Sequence, residues 1–149
     1  MIEYQQAGGW SPMRSETALI EPGSLVDKWL TVVAAPSEQE GVSVVRVVGE
    51  VDSATVGRLR DHLYEYVSGP CRGVVLDFTA VSFLALCGVR LLLETADRAR
   101  AEGMTLRLVA QSRAVLRALE VSGLQEQVAC VATVAEAVAQ CSTYPRLAQ

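Results

Sequence analysis

Few residues of this 149-residue chain have side chains suited to chemistry. The one histidine, His62, sits between Asp61 and Leu63 in an amphipathic stretch. As a general base it would need a nucleophile and an orienting acid, and no Gly-x-Ser-x-Gly elbow, P-loop or Gly-x-Gly-x-x-Gly cradle supplies them. A solvated or half-buried helical histidine is expected instead. Cys71, Cys87, Cys130 and Cys141 show no Cys-x-x-Cys spacing, so they are expected as small packing residues, with no metal and no cofactor. Two turns are more informative. Gly49-Glu50-Val51-Asp52 carries paired carboxylates where a β-type run gives way to helical periodicity. The segment Thr79 to Gly88 joins a buried strand to the most apolar helix of the chain, and it contains Phe83-Leu84-Ala85-Leu86 where polar turn residues are usual.

A helix starting near Cys87 leaves its first backbone N–H groups without intrahelical acceptors and with partial positive charge. Ala85, Leu86 and Cys87 offer no strong oxygen acceptor for them, so water or a partner must do so. Two readings stand. Leu84 and Leu86 are tucked into the core beneath a frayed start, or part of this apolar turn is exposed as a contact patch. Cys87 also admits two: inert packing, or a thiolate favoured by the helix start and open to redox control. Asp52 or Ser53 suits the N-cap of the preceding helix, and Glu50 and Asp52 are also available to a basic group.

The length fits one domain with a genuine core. A net charge of −4 with a single lysine, Lys28, gives no clustered basic surface for nucleic acid. Apolar runs are too short and too often interrupted for a membrane span, and Met1 to Trp10 has no secretory pattern, so a cytoplasmic protein is expected. Residues 1–27 read as an extended or mobile arm rich in Gly, Ser, Pro and Glu. From Trp29 onward strands and helices alternate, the pattern of an α/β domain. Strands are expected at Trp29 to Ala34, Val42 to Val48, Gly73 to Phe78, Met104 to Ala110 and Val128 to Val131. Helices are expected around Val56, Leu59, Leu63 and Val67, stopped by Gly69-Pro70, from Cys87 to Ala101, from Ser112 to Gly123, and from Val134 to Cys141 behind a Thr133 cap.

The ordered set Val47-Val48-Gly49-Glu50-Val51-Asp52, Val74-Val75-Leu76-Asp77-Phe78, Val81-Ser82-Phe83-Leu84 and Gly88 with its apolar helix resembles the STAS domain of bacterial anti-sigma-factor antagonists. The resemblance runs from Trp29 to Cys141. It implies a single domain over residues 28–142, followed by a tail at 143–149. Its fold would be α/β, a small mixed sheet of roughly four to five strands backed by about four helices. The implied partner is an anti-sigma factor of the histidine-kinase-like ATPase type, made to release its sigma subunit; an oligomer is left open. In regulated members the kinase phosphorylates a serine within an Asp-Ser-Ser-Gly turn, which breaks the complex. Carried over, that turn falls on Ala85-Leu86-Cys87-Gly88, with Cys87 at the phosphoacceptor position. A thiol is no substrate for serine phosphorylation, so the addition of about −1.5 to −2 charges cannot act there. The implied partner-binding face comprises Glu50, Asp52, Ser82, Phe83, Leu84, Ala85, Leu86, Cys87 and Gly88. A STAS scaffold in a lipid-transport or sensor complex is the alternative, since such relatives often lack the serine.

Overall fold

Runs of β-branched residues pair into a six-stranded mixed sheet in a computed structural model that describes residues 25–26, 28–68 and 71–143. The strands β1 (Leu25–Val26), β2 (Leu30–Pro36), β3 (Val42–Val51), β4 (Gly73–Leu84), β5 (Thr105–Val109) and β6 (Cys130–Val131) lie side by side in chain order. The first three pair antiparallel and β3 through β6 pair parallel. Parallel neighbours require crossovers. They are supplied by α1 (Val56–Tyr66), α2 (Leu86–Ala101) and α3 (Arg113–Ser122), with α4 (Val134–Thr143) last. The expected mixed sheet with four helices is what forms. Its sixth strand, β1, falls in the stretch read as an arm, and Thr143, assigned to the tail, closes α4. The rest of the arm, the Gly69-Pro70 stop and the tail from residue 144 lie outside the described residues.

Side-chain alternation sends β3, β4 and β5 residues to two differently covered faces. On the first, Val45, Val47, Leu76, Phe78 and Leu108 pack with Leu59, Leu63, Val89, Leu92 and Leu119 from α1, α2 and α3. On the second, Val42, Val44, Val75 and Val109 pack under Ala137 and Cys141 of α4. Covered on both sides, the start of β4 reads as an unbroken apolar run. Burial pushes the Cys141 thiol up to about 11, with Arg107 pulling the other way. Helix ends follow local chemistry: Ser112 accepts from the Val115 amide, Thr133 from the Glu136 amide, and Gly123 closes α3 at φ 76°.

β3 and β4 run past their expected ends. β3 reaches Val51 and β4 reaches Leu84, so most of the expected turn from Thr79 to Gly88 is strand. Two register shifts explain why the alternation was hidden. The pairing passes from Arg46↔Asp77 to Val48↔Ala80, and then from Gly49↔Val81 to Glu50↔Phe83. Each shift leaves β4 one residue longer than its partner and reverses its inside-outside phase. At the second shift Ser82 is passed over; Phe83 turns outward while Leu84 stays inward. Gly49 allows the neighbouring edge to close: at φ 121° a side chain there would run into the Trp29 carbonyl. On the second face Arg46 lies 3.4 Å from Asp77, whose carboxylate is buried and also accepts from the Thr79 amide and hydroxyl.

Candidate protein-binding site

Two strand ends, β3 at Val51 and β4 at Leu84, finish side by side, and each launches a helix. The turn after β3 is held by side-chain oxygens. The Asp52 carboxylate accepts from the amides of Ala54 at 2.9 Å and Thr55 at 3.2 Å. The buried Thr55 hydroxyl donates to the Glu50 carbonyl at 2.9 Å and accepts from the Asp52 amide at 3.0 Å. Thr55, not Asp52 or Ser53, occupies the cap position of α1, which starts one residue on. Asp52 instead closes the turn ahead of the helix, so the expectation of a direct Asp52 or Ser53 cap is corrected. Thr55 was missed, although an Asp-x-x-Thr spacing ahead of a helical stripe was there to be seen.

The launch of α2 is bare by comparison. Ala85 is its cap residue, extended at φ −83° and ψ 169°, and makes no side-chain cap hydrogen bond. Its own amide donates to the Val51 carbonyl at 2.9 Å, which ties the two strand ends together. Its carbonyl accepts from Gly88 at 2.9 Å and Val89 at 3.2 Å. The amides of Leu86 and Cys87, at the first two helical positions, have no carbonyl one turn earlier within the helix. Gly88 is required by packing: a Cβ there would lie 2.5 Å from Leu84 Cδ1 and 2.7 Å from Val51 Cγ1. The glycine of the turn thus seats α2 directly on both strand ends.

The expected residues do converge on this edge, but they divide by exposure. Phe83 is 50% and Leu86 53% exposed, so the apolar run is only partly tucked away. Ser82 is exposed too, its hydroxyl donating to the Gly49 carbonyl at 3.2 Å. Glu50, Asp52, Ala85 and Cys87 are half-buried. Leu84 and Gly88 are buried, so they support the surface from beneath and do not present one. Trp29, expected as the first strand residue, stands just before β2 and is 54% exposed, with its carbonyl accepting the Glu50 amide at 3.0 Å. It therefore borders the site, which sequence spacing did not indicate. Such an edge offers apolar contact, helix-start N–H donors and flanking carboxylates, all suited to a protein surface.

Other candidate chemistry lies elsewhere or is absent among the described residues. His62 is half-buried on α1, its ring centroid 6.1 Å from that of Tyr66 one turn on. All four cysteines are free thiols. No group of three or more His, Cys, Asp or Glu side chains among the described residues gathers to hold a metal. No helix among them is long and apolar enough to cross a membrane.

Comparison with known proteins agrees with this architecture. The anti-sigma-F factor antagonist RsfB of Mycobacterium tuberculosis is 24% identical over 108 residues, covering 72% of this chain and 88% of that protein. The crystal structure of an anti-sigma factor antagonist from Mycobacterium paratuberculosis superposes with a TM-score of 0.69 at 26% identity, covering 78% of this chain and 98% of the other. The Bacillus cell fate determinant SpoIIAA in its phosphorylated form shares the fold, with a TM-score of 0.55 at 21% identity over 74% of this chain and 97% of that one. The STAS domain profile matches residues 34–137, from within β2 into α4, and by that match this chain belongs to the STAS domain family.

Proposed function

We propose that this protein is an anti-sigma-factor antagonist that binds an anti-sigma factor of the histidine-kinase-like ATPase type, frees its sigma factor, and does so without serine phosphorylation at the usual turn. The observation that carries this reading is the start of α2, a helix without a side-chain cap, flanked by exposed Phe83 and Leu86; the family resemblance sets Cys87 at the phosphoacceptor position. A partner that places an acceptor at the Leu86 and Cys87 amides and an apolar surface over Phe83 and Leu86 would satisfy both the open donors and the exposed carbon. The antagonist relatives named above support the same role. A kinase partner would find no hydroxyl at Cys87, so its usual means of ending the complex would be missing.

The test is titration of the protein into purified complexes of candidate anti-sigma kinases with their sigma factors, in the presence of ATP. The expected result is stoichiometric release of sigma with no phosphate gained by this chain. Phosphate found between Thr79 and Gly88 would overturn the phosphorylation-independent mechanism. Capture from native lysate of a transporter ATPase, with no binding to any anti-sigma kinase, would replace the whole reading with the scaffold one.

A further inference from the structure

Three neighbouring chain segments set one row of side chains across the rim of the sheet. The Glu50 amide donates to the Trp29 carbonyl at 3.0 Å, and Glu50 stands in register with Phe83 on β4. Leu30, Val51 and Leu84, each the next residue along, turn into the first core cluster, so Trp29, Glu50 and Phe83 point to the opposite side. Both aromatic residues are exposed and Glu50 is half-buried. One strand spacing on either side puts the two aromatic residues about 10 Å apart, with the carboxylate between them. The Asp52 carboxylate is engaged by the Ala54 and Thr55 amides, whereas that of Glu50 makes no hydrogen bond or ion pair among the described residues. The Trp29 ring already takes a cation: the Lys28 ammonium lies 5.0 Å from its centroid.

We propose that this row receives one arginine side chain of the partner protein, its guanidinium lying between Trp29 and Phe83 and paired with Glu50. The inference rests on the reading that this edge binds a protein. A guanidinium is planar and weakly hydrated, stacks on aromatic faces, and meets a carboxylate with two parallel N–H donors. A cation midway between residues about 10 Å apart is within the ~6 Å over which a ring attracts it, so both rings act on the same charge. A lysine ammonium holds its water more tightly and offers no flat face to stack, so it gains less. The net charge of −4 favours a basic partner segment as well. Lys28, the only lysine of the chain, sits over Trp29 as an internal cation that an incoming arginine displaces. Leu86 then supplies apolar contact beside the row, while the row itself fixes which partner side chain is accepted.

NMR titration of the full chain with N-acetyl-arginine methylamide tests the assignment without a known partner. The Trp29 indole N–H and Glu50 amide signals should move together and saturably, with those of Val74 and Leu76 in place. The lysine derivative and the uncharged citrulline derivative should each bind at least about threefold more weakly. Glu50→Gln and Phe83→Leu should each lower arginine affinity by about threefold or more, Trp29→Tyr should keep most of it, and Lys28→Met should raise it. With an anti-sigma factor identified by sigma release, Trp29→Leu and Glu50→Gln should each weaken binding about tenfold. Partner binding weakened by Leu86→Ala but unchanged by Trp29→Leu and Glu50→Gln would overturn the arginine receptor and leave the proposed function standing. If no anti-sigma factor binds the parent chain, that function falls and the probe titration decides alone. No saturable shift, or equal affinity for the arginine and citrulline derivatives, would then overturn the receptor.

Discussion

The two helix starts at the end of β3 and β4 are neighbours in space and opposites in construction. At the first, Asp52 and Thr55 engage backbone amides and the Glu50 carbonyl, so the turn is closed on itself. At the second, Ala85 supplies no side-chain oxygen, and what holds the helix in place is the Val51 carbonyl on the Ala85 amide and the close seating of Gly88. α3 and α4 resemble the first type, with Ser112 and Thr133 accepting from amides three residues on. A start fixed by backbone and packing leaves its first helical N–H groups, those of Leu86 and Cys87, without a side-chain acceptor from the cap residue. Polar capping would have stabilised α2 further, but by occupying the groups that the proposed partner would use.

The sharpest way to break this contrast is Gly88→Val. If packing holds α2, inserting a branched side chain against Leu84 and Val51 should cost about 3 kcal/mol in urea unfolding; unchanged stability would show that α2 is seated differently. Leu86→Ala is the converse. Stability should stay within about 0.5 kcal/mol, while affinity for an anti-sigma partner should fall about tenfold or more. Equal affinity by calorimetry would remove Leu86 from the contact surface. Asp52→Ala should lower stability by about 1 kcal/mol, with Asp52→Asn close to the parent in unfolding. A large loss of binding in the Asn variant at full stability would assign Asp52 to the partner and not to its turn. The smallest effect is expected for Ala85→Ser. Its extended backbone is ready for a cap, so stability should rise by about 0.5 kcal/mol, and binding should weaken as the hydroxyl takes an amide. A gain in stability with no change in binding would mean that those amides are not used.

Where one physical cause dominated, the sequence was readable. Val74-Val75-Leu76 was legible as a central strand because both faces are covered, and Ser112, Thr133 and Gly123 marked helix ends because capping is local. The candidate site was located through the lack of a cap residue and through the family resemblance, yet its geometry was not visible. Phe83 and Leu84 are adjacent apolar residues, and only pairing with β3 decides that one faces out and the other in. For Thr55 the local Asp-x-x-Thr spacing was readable, but its bond to the Glu50 carbonyl five residues back was not, because that bond depends on how β3 ends. β1 was unreadable for a simpler reason, since two residues carry no period.

The paired register shifts in β4 have a further consequence. Two single-residue offsets add up to one full side-chain period, so the strand regains its original phase while gaining two residues against β3. Because the two strands stay paired at both ends, this extra backbone, at most roughly 7 Å of chain, is taken up in bulges at the two shifts. Phe83 and Leu86 therefore lie where the two strands end together, with Phe83 turned outward by the second shift. In mechanical terms β4 is braced at both ends, by its pairing with β3 and by the seating of Gly88 against Leu84 and Val51, so the slack taken up at the two shifts sets where Phe83 points without loosening the first turn of α2.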